Sequence, residues 1–289
     1  MNAQNVFNDG DFGIRDHVII CNWSKKADII VRQLHDESVR QKSPIIVITD
    51  YPENIPKTTD PAYRGLLMIS GDPANREILK RADVRNARTV VVLADENDPE
   101  NSDSKSILIV LAIESINANV HIIVELINSN SEMFFQYTHV DEIVCLEQLS
   151  EKLLAQSALT PGLSQVYMDL LTQSSATNEI YQESVTAPLI GKSYRELEAT
   201  VINIDEKDLI LIGFSTIVEK KVEGDGVVNG HGNKIFERKI VINPKSSSNG
   251  EFSKDYKFRE GDSIFFISYD QPDIGQYFNG GIKSGSNNI

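Results

Sequence analysis

Thr89-Val-Val-Val-Leu-Ala-Asp-Glu-Asn-Asp-Pro-Glu-Asn-Ser-Asp-Ser-Lys-Ser-Ile-Leu-Ile-Val-Leu-Ala112 divides into three pieces. Thr89–Leu93 is a β-branched apolar run without alternation, the pattern of a strand buried on both faces in a parallel sheet covered by helices. The next loop carries five carboxylates, Asp95, Glu96, Asp98, Glu100 and Asp103, within nine positions. An apolar-striped helix then runs from about Ser102 to Ile116. In open parallel sheets ligands bind beyond the carboxyl ends of the strands, near the point where strand order reverses. An acidic loop leaving a strand at that edge is therefore the chain's most informative feature.

Working outward, the same grammar repeats. Upstream lie strands His17–Asn22, Pro44–Asp50 and Leu66–Ser70; downstream lie Val120–Leu126 and Glu142–Leu146. Helices are expected from Ser24, a suitable N-cap, to about His35, over Ala74–Ala82 behind Pro73, and near Ser131–Tyr137. Tyr51–Gly65 holds Pro52, Pro56 and Pro61 and has room only for a short or broken helix. Strands alternating with helices at this spacing predict an α/β fold: a Rossmann-like, doubly wound parallel sheet of about six strands, with right-handed crossovers.

Past Leu146 the character changes. Gln148–Leu159 and Leu163–Leu171 read as amphipathic helices broken at Thr160-Pro161-Gly162, with no further strand to cover. Their apolar stripes call either for a second copy of the chain or for packing back onto their own domain. The polar stretch Gln173–Asn178 reads as a linker. A smaller α+β lobe follows, with strands Ile180–Val185, Leu209–Phe214, Lys239–Asn243 and Ser263–Tyr269 and one helix, Ser193–Ala199. Ile217–Phe236, with its Gly-Asp-Gly and Gly-His-Gly, reads as an insertion in a hairpin. The expected domains are 16–147 for the sheet lobe, 148–173 for a helix-turn-helix connector, 179–275 for the second lobe and 276–289 for a disordered tail.

Composition narrows the function. The chain has 289 residues, enough for two modest domains, and its 28 Lys+Arg against 42 Asp+Glu give a net charge of −14. Nucleic acid is not an expected partner, because phosphate neutralisation needs basic patches. Met1–Asp16 lacks the apolar core of a secretory signal. The longest apolar run, Ile107–Ile113, is far below the roughly 20 residues that cross a bilayer, so a soluble chain is expected. Cys21 and Cys145 both sit in strand-like runs and read as buried thiols in a reducing compartment.

The catalytic inventory is thin. No Gly-x-Ser-x-Gly elbow, phosphate-cradling lysine loop or His-Glu-x-x-His is present, and the five histidines share no metal spacing. An enzyme is not expected. At the first strand–helix turn, where a dinucleotide fingerprint would stand, Asn22, Ser24 and Ala27 replace all three glycines, and Trp23 crowds the approach. Asp50 and Asp72, at the ends of the second and third strands, stand where acidic side chains can bind ribose hydroxyls or simply form turns. The acidic loop supplies the hard oxygens that Ca²⁺ takes, with Asp95, Glu96, Asp98 and Asp103 as candidate ligands and the Asn97 amide beside them. The other reading is a solvated loop in which Ser102 or Asp103 caps the next helix. Glu125, a lone carboxylate in an apolar strand, would either join a ligand shell at this edge or accept loop N–H groups.

Several stretches carry a resemblance. His17-Val-Ile-Ile-Cys-Asn-Trp-Ser24, Gly71-Asp72-Pro73, Val84-Arg-Asn-Ala-Arg88 and Val120-His-Ile-Ile-Val-Glu125 resemble the RCK (regulator of K⁺ conductance, TrkA-N) domain. Leu189-Ile-Gly191 and Phe258-Arg-Glu-Gly-Asp262 resemble its C-terminal (TrkA-C) lobe, so the likeness runs from about Asp16 to Ile274. Ala94–Asp103 and Ala158–Gln165 are similar to the Castor/Pollux-type ion channels in particular. The resemblance implies a cytoplasmic gating-ring module at the inner face of a membrane. Dimers would assemble into a tetrameric or octameric homo-oligomeric ring joined to a membrane pore domain for potassium or another cation. It also implies Ca²⁺ as regulator, with Asp95, Glu96, Asp98 and Asp103 as matching positions and Glu125 on the fifth strand. The alternative within the family is a nucleotide-sensing (NAD, ATP or ADP) subunit of a potassium uptake system, using Asn22, Ser24, Asp50 and Asp72.

Overall fold

The computed structural model describes residues 13–37, 39, 42–172, 174, 177–203, 208–219, 236–246 and 251–272. The chain divides into two compact units, residues 1–165 and 166–289. The lead-in before Gly13, most of the hairpin insertion and the tail lie outside the described residues, as does part of the linker.

In the first unit the described strands are β1 (Val18–Cys21), β2 (Ile45–Thr49), β3 (Leu67–Ser70), β4 (Thr89–Val92), β5 (His121–Leu126) and β6 (Glu142–Cys145). They form one sheet in the order β3-β2-β1-β4-β5-β6, and each adjacent pair is parallel. Alternate side chains feed two cores, which is why these strands show no polar face. Val18, Ile20, Ile45 and Val47 pack with Trp23, Ala27 and Val31 of α1 (Lys25–Leu34) and its approach. Ile19, Cys21, Ile46, Ile48, Val90 and Val92 pack with Leu79 of α2 (Arg76–Arg81) and Ile109, Val110 and Ile113 of α3 (Ser102–Glu114). Each fully buried aliphatic side chain contributes about 1.5–3 kcal/mol.

Local chemistry sets the helix starts. Ser24 caps α1, its side chain accepting from Lys26 N–H, and Asn75 caps α2 by accepting from Glu77 N–H. The proline-rich segment holds only two short 3₁₀ turns, Pro52–Asn54 and Pro61–Tyr63. Two expectations need correction. The helix expected near Ser131–Tyr137 begins two residues earlier and is of the 3₁₀ type, Ser129–Phe135, started by the Asn128 side chain. At α3 the cap position is Asn101, without a side-chain cap bond; Ser102 and Asp103 are engaged elsewhere.

β6 runs into α4 (Leu146–Leu159), none of whose residues is buried. The same is true of α5 (Leu163–Leu171). The second unit is an antiparallel sheet of β7 (Glu179–Ser184), β8 (Ile210–Glu219), β9 (Phe236–Ile242) and β10 (Ser263–Ser268), ordered β7-β10-β8-β9 among the described residues. The β8–β9 pairing extends out to Glu219 and Phe236, so both strands are longer than their apolar stretches suggest. α6 (Tyr194–Ile202) begins with a capping box between Ser193 and Glu196. Its Tyr194, Leu197 and Val201 close a core with Phe214, Tyr256, Phe258, Ile264 and Phe266. Phe214 and Tyr256 stack with centroids 4.5 Å apart. The Tyr256 hydroxyl, buried, donates to Asp262 Oδ2 at 2.8 Å and lies 2.9 Å from Thr216 Oγ1.

Candidate functional site

The strand order reverses between β1 and β4, so the crevice beyond their carboxyl ends is the natural ligand position of this sheet. Four strand ends and the β4–α3 loop contribute polar side chains there. Asn22 follows β1 with φ 71°, a left-handed conformation that asparagine tolerates. Its amide donates across the crevice to Leu93 O at 2.7 Å. Ser24 is buried and spent on capping. Asp72 accepts from Ala74 N–H at 2.8 Å and so shapes the β3–α2 turn. Asp50, after β2, has its carboxyl pushed above the usual range, first by desolvation and then by the neighbouring charges of Asp72 and Asp95. Cys21 is fully buried, and burial, with Asp72 adding, pushes its thiol up to about 12. It stays protonated and inert at neutral pH. Of the four residues named for nucleotide binding, Asn22, Ser24 and Asp72 thus already hold internal bonds.

The acidic loop is organised by two lysines. Lys105 Nζ, from the first turn of α3, lies 3.1 Å from Asp95 Oδ2 and 3.0 Å from Asp98 Oδ2. Lys26 Nζ, from the first turn of α1, lies 2.6 Å from Glu125 Oε1 and 3.5 Å from Glu96 Oε1. Glu125 is largely buried, and its second oxygen accepts Ala94 N–H at 3.0 Å. It therefore takes the loop N–H role, with an ammonium group added. The loop folds on its own side chains: Asn97 N–H donates to Asp95 Oδ1, Asn101 Nδ2 donates to Asp98, and Asp95 N–H donates to Ser102 Oγ. Asp103 faces away from this group. Its carboxylate accepts Ile127 N–H at 2.9 Å, Asn128 N–H at 3.0 Å and Ser131 Oγ–H at 2.7 Å, tying α3 to the loop after β5.

Charge follows this geometry. Burial alone would lower the Lys26 ammonium, but the hydrogen bond and charge of Glu125, then Glu96, outweigh it and hold it above the usual range. Lys105 is raised by Asp98 and Asp95, and Asp98 is lowered by Lys105 and Asn101. In number and kind the oxygens of Asp95, Glu96, Asp98 and the Asn97 amide suit a hard cation. As arranged the three carboxylates face ammonium groups instead, and the Asn97 amide donates to Asp95. Among the described residues no group of three or more His, Cys, Asp or Glu side chains is gathered as a metal would require. Neither lysine was identified from the sequence as part of the site. The available signal was cationic residues in two helical first turns, Lys25 and Lys26 in α1 and Lys105 in α3, where acidic residues are the more favourable choice.

Comparison with known proteins agrees with this architecture. Residues 13–124 match the model for the calcium-activated potassium channel slowpoke-like RCK domain. Ion channel POLLUX of Lotus japonicus is 28% identical over 269 residues, covering 89% of this chain and 26% of that protein. The calcium-gated potassium channel TvoK of Thermoplasma volcanium is 27% identical over 165 residues, covering 56% of this chain and 45% of that one. This chain thus spans about a quarter of the plant relative and less than half of the archaeal one. The human SLO3 gating ring shares the fold, with a TM-score of 0.58 and 17% identity over 93% of this chain and 47% of that one. Residues 13–124 are thus similar to a Slo-like RCK domain, and ion channels of the Castor and Pollux type are among the proteins the chain resembles.

Proposed function

We propose that this chain is the cytoplasmic ligand-sensing module of a cation channel, at the inner face of the membrane, and that its sensor is the acidic loop between β4 and α3. The observation that carries the reading is the placement of Asp95, Glu96 and Asp98 at the carboxyl edge of a sheet of this family, beside the strand-order reversal. Asp50, held above its usual range partly by Asp95, adds to the negative field. Ca²⁺ is the cation of choice, since the donors are hard oxygens and one relative bears the name of a calcium-gated channel. Asp95, Glu96 and Asp98 supply the ligands in this reading, while Asp103 and Glu125 anchor the loop to its surroundings. A ligand changes the state of such a module only by binding one arrangement better than another, and a loop folded on its own carboxylates has such a second arrangement to adopt.

The second half of the proposal is self-assembly. α4 exposes Leu146, Leu149, Leu154 and Leu159, and α5 exposes Val166, Tyr167, Met168 and Leu171. Single exposed leucines need no explanation, but two neighbouring helices with no buried residue favour a partner. A second copy, building towards a ring beneath a pore domain, is the partner proposed. Calorimetry with Ca²⁺ on the full chain, alongside the Asp95→Ala/Asp98→Ala double variant, tests the sensor. Saturable heat lost in the variant supports it, and equal heats in the two proteins defeat it. ADP and NAD in the same cell test the nucleotide alternative, which predicts saturable binding sensitive to Asp50→Ala.

A further inference from the structure

The two lysines are not incidental neighbours of the loop. Each bridges two carboxylates, and each comes from a helix that the loop does not belong to or has only just entered. Lys26 spans from α1 to Glu125 of β5 and Glu96 of the loop; Lys105 reaches back from α3 to Asp95 and Asp98. Asp95, Glu96, Asp98 and Glu125 bring four negative charges against two positive ones, so the group keeps an excess of two even when both ammonium groups are in place. Without them, Glu96 and Glu125 would lose the cation they share, and so would Asp95 and Asp98.

We propose that Lys26 and Lys105 act as tethered cations that latch the acidic loop shut, and that a free cation enters only by exchange for the Lys105 ammonium. The latch rests on the geometry alone; the exchange step rests also on the cation-sensing reading above. Lys105 is the one that yields, because both of its ion pairs are partly exposed, whereas Lys26 holds a carboxylate that is only 8% exposed and also receives the Ala94 N–H. Breaking the Lys105 pairs frees Asp95 and Asp98 together, the two side chains that fold the loop on Asn97 and Asn101.

Two backbone amides report the two latches: Asn97 N–H, bonded to Asp95 Oδ1, and Ala94 N–H, bonded to Glu125 Oε2. Hydrogen exchange on the full chain is compared for the native protein, Lys105→Met, which keeps the apolar stem, and Lys105→Arg, which keeps the charge. Exchange at Asn97 should rise roughly two- to fivefold in Lys105→Met, the factor an exposed ion pair supplies, and stay near native in Lys105→Arg. In a Ca²⁺ titration Lys105→Met should bind more tightly by a similar factor. Unchanged exchange at Asn97 in Lys105→Met overturns the latch. Faster exchange with equal or weaker Ca²⁺ binding than the native chain overturns the exchange step and leaves the cation sensor standing. Faster exchange with Ca²⁺ binding in neither protein supports the latch and defeats the sensor.

Discussion

Glu125→Gln isolates the most buried electrostatic contact of the site. The Glu125 side chain is 8% exposed, with Lys26 Nζ 2.6 Å from one oxygen and Ala94 N–H 3.0 Å from the other. Glutamine keeps the shape but cannot serve both donors. If its carbonyl oxygen faces Ala94 its NH₂ meets an ammonium group, and in the flipped pose its NH₂ meets the Ala94 N–H. A hydrogen bond to a charged group contributes about 1.5–3 kcal/mol. Lys26 is 37% exposed, so solvent screening moves its share towards the lower end. We expect a loss of about 2 kcal/mol. With a urea slope of about 2 kcal/mol/M for a domain of this size, the midpoint falls by about 1 M. The assay is built into the chain: Trp23 is its single tryptophan, is buried, and lies three residues before Lys26. Lys26→Met should cost a comparable amount by stranding a buried carboxylate. The double variant Lys26→Met/Glu125→Gln should then be less destabilised than the sum of the two by about 1–2 kcal/mol. Strict additivity in that cycle, or a midpoint shift below about 0.2 M for Glu125→Gln, would refute the reasoning.

Gly213→Ala places a Cβ 2.2 Å from Val241 O across the β8–β9 pair; neither backbone can retreat, and a loss of about 3 kcal/mol is expected in urea titrations followed by near-ultraviolet CD. Tyr256→Phe removes the buried hydroxyl between Thr216 and Asp262 and should cost about 1–2 kcal/mol by the same measure. Asp50→Asn should stabilise the first unit at neutral pH by no more than about 0.5 kcal/mol. A carboxyl raised in the folded state binds its proton more readily there, so its penalty is present at high pH and fades as pH falls through the folded value. Thermal unfolding of the two proteins should therefore converge in mild acid and diverge towards neutrality. Leu154→Asp/Met168→Asp, on the exposed faces of α4 and α5, should reduce the mass measured by light scattering to that of one chain, and an unchanged mass would remove these helices from the proposed interface.

Much of the sheet was legible because its strands are buried on both faces. Runs such as Val18–Cys21 and Ile45–Thr49 have no solvent side, so burial imposes apolar residues at consecutive positions rather than at alternate ones. Prolines at Pro52 and Pro61 announced the breaks, and Ser24 announced the start of α1. The helix expected near Ser131–Tyr137 is present as the 3₁₀ segment Ser129–Phe135, begun two residues earlier because the Asn128 side chain accepts from Asn130 N–H. The full lengths of β8 and β9 were hidden. Outer strand positions such as Arg238 and Lys239 are polar and exposed, and pairing rather than burial holds them in the sheet.

Reading the site needed more than local pattern. The carboxylates declared themselves, because five acids in nine positions stand out in any sequence. Their partners did not. Lys26 and Glu125 are 99 residues apart, and their contact exists only because β4 lies between β1 and β5 in the sheet, with α1 starting at the edge where β5 ends. Sequence spacing carries no trace of that adjacency; strand order does. The same adjacency explains why Glu125 is tolerated in an apolar strand. A buried carboxylate is costly when alone and far less so when paired and fully hydrogen-bonded, and here one oxygen faces an ammonium group while the other takes a backbone N–H that would otherwise be orphaned at the end of β4. The first turn of α1, where other sheets of this kind cradle phosphate, instead sends Lys26 to a carboxylate two strands over. A helix start that in other such sheets waits for an anion from outside has, in this chain, been answered from within, and the acidic loop beside it is left as the part of the edge with charge to spare.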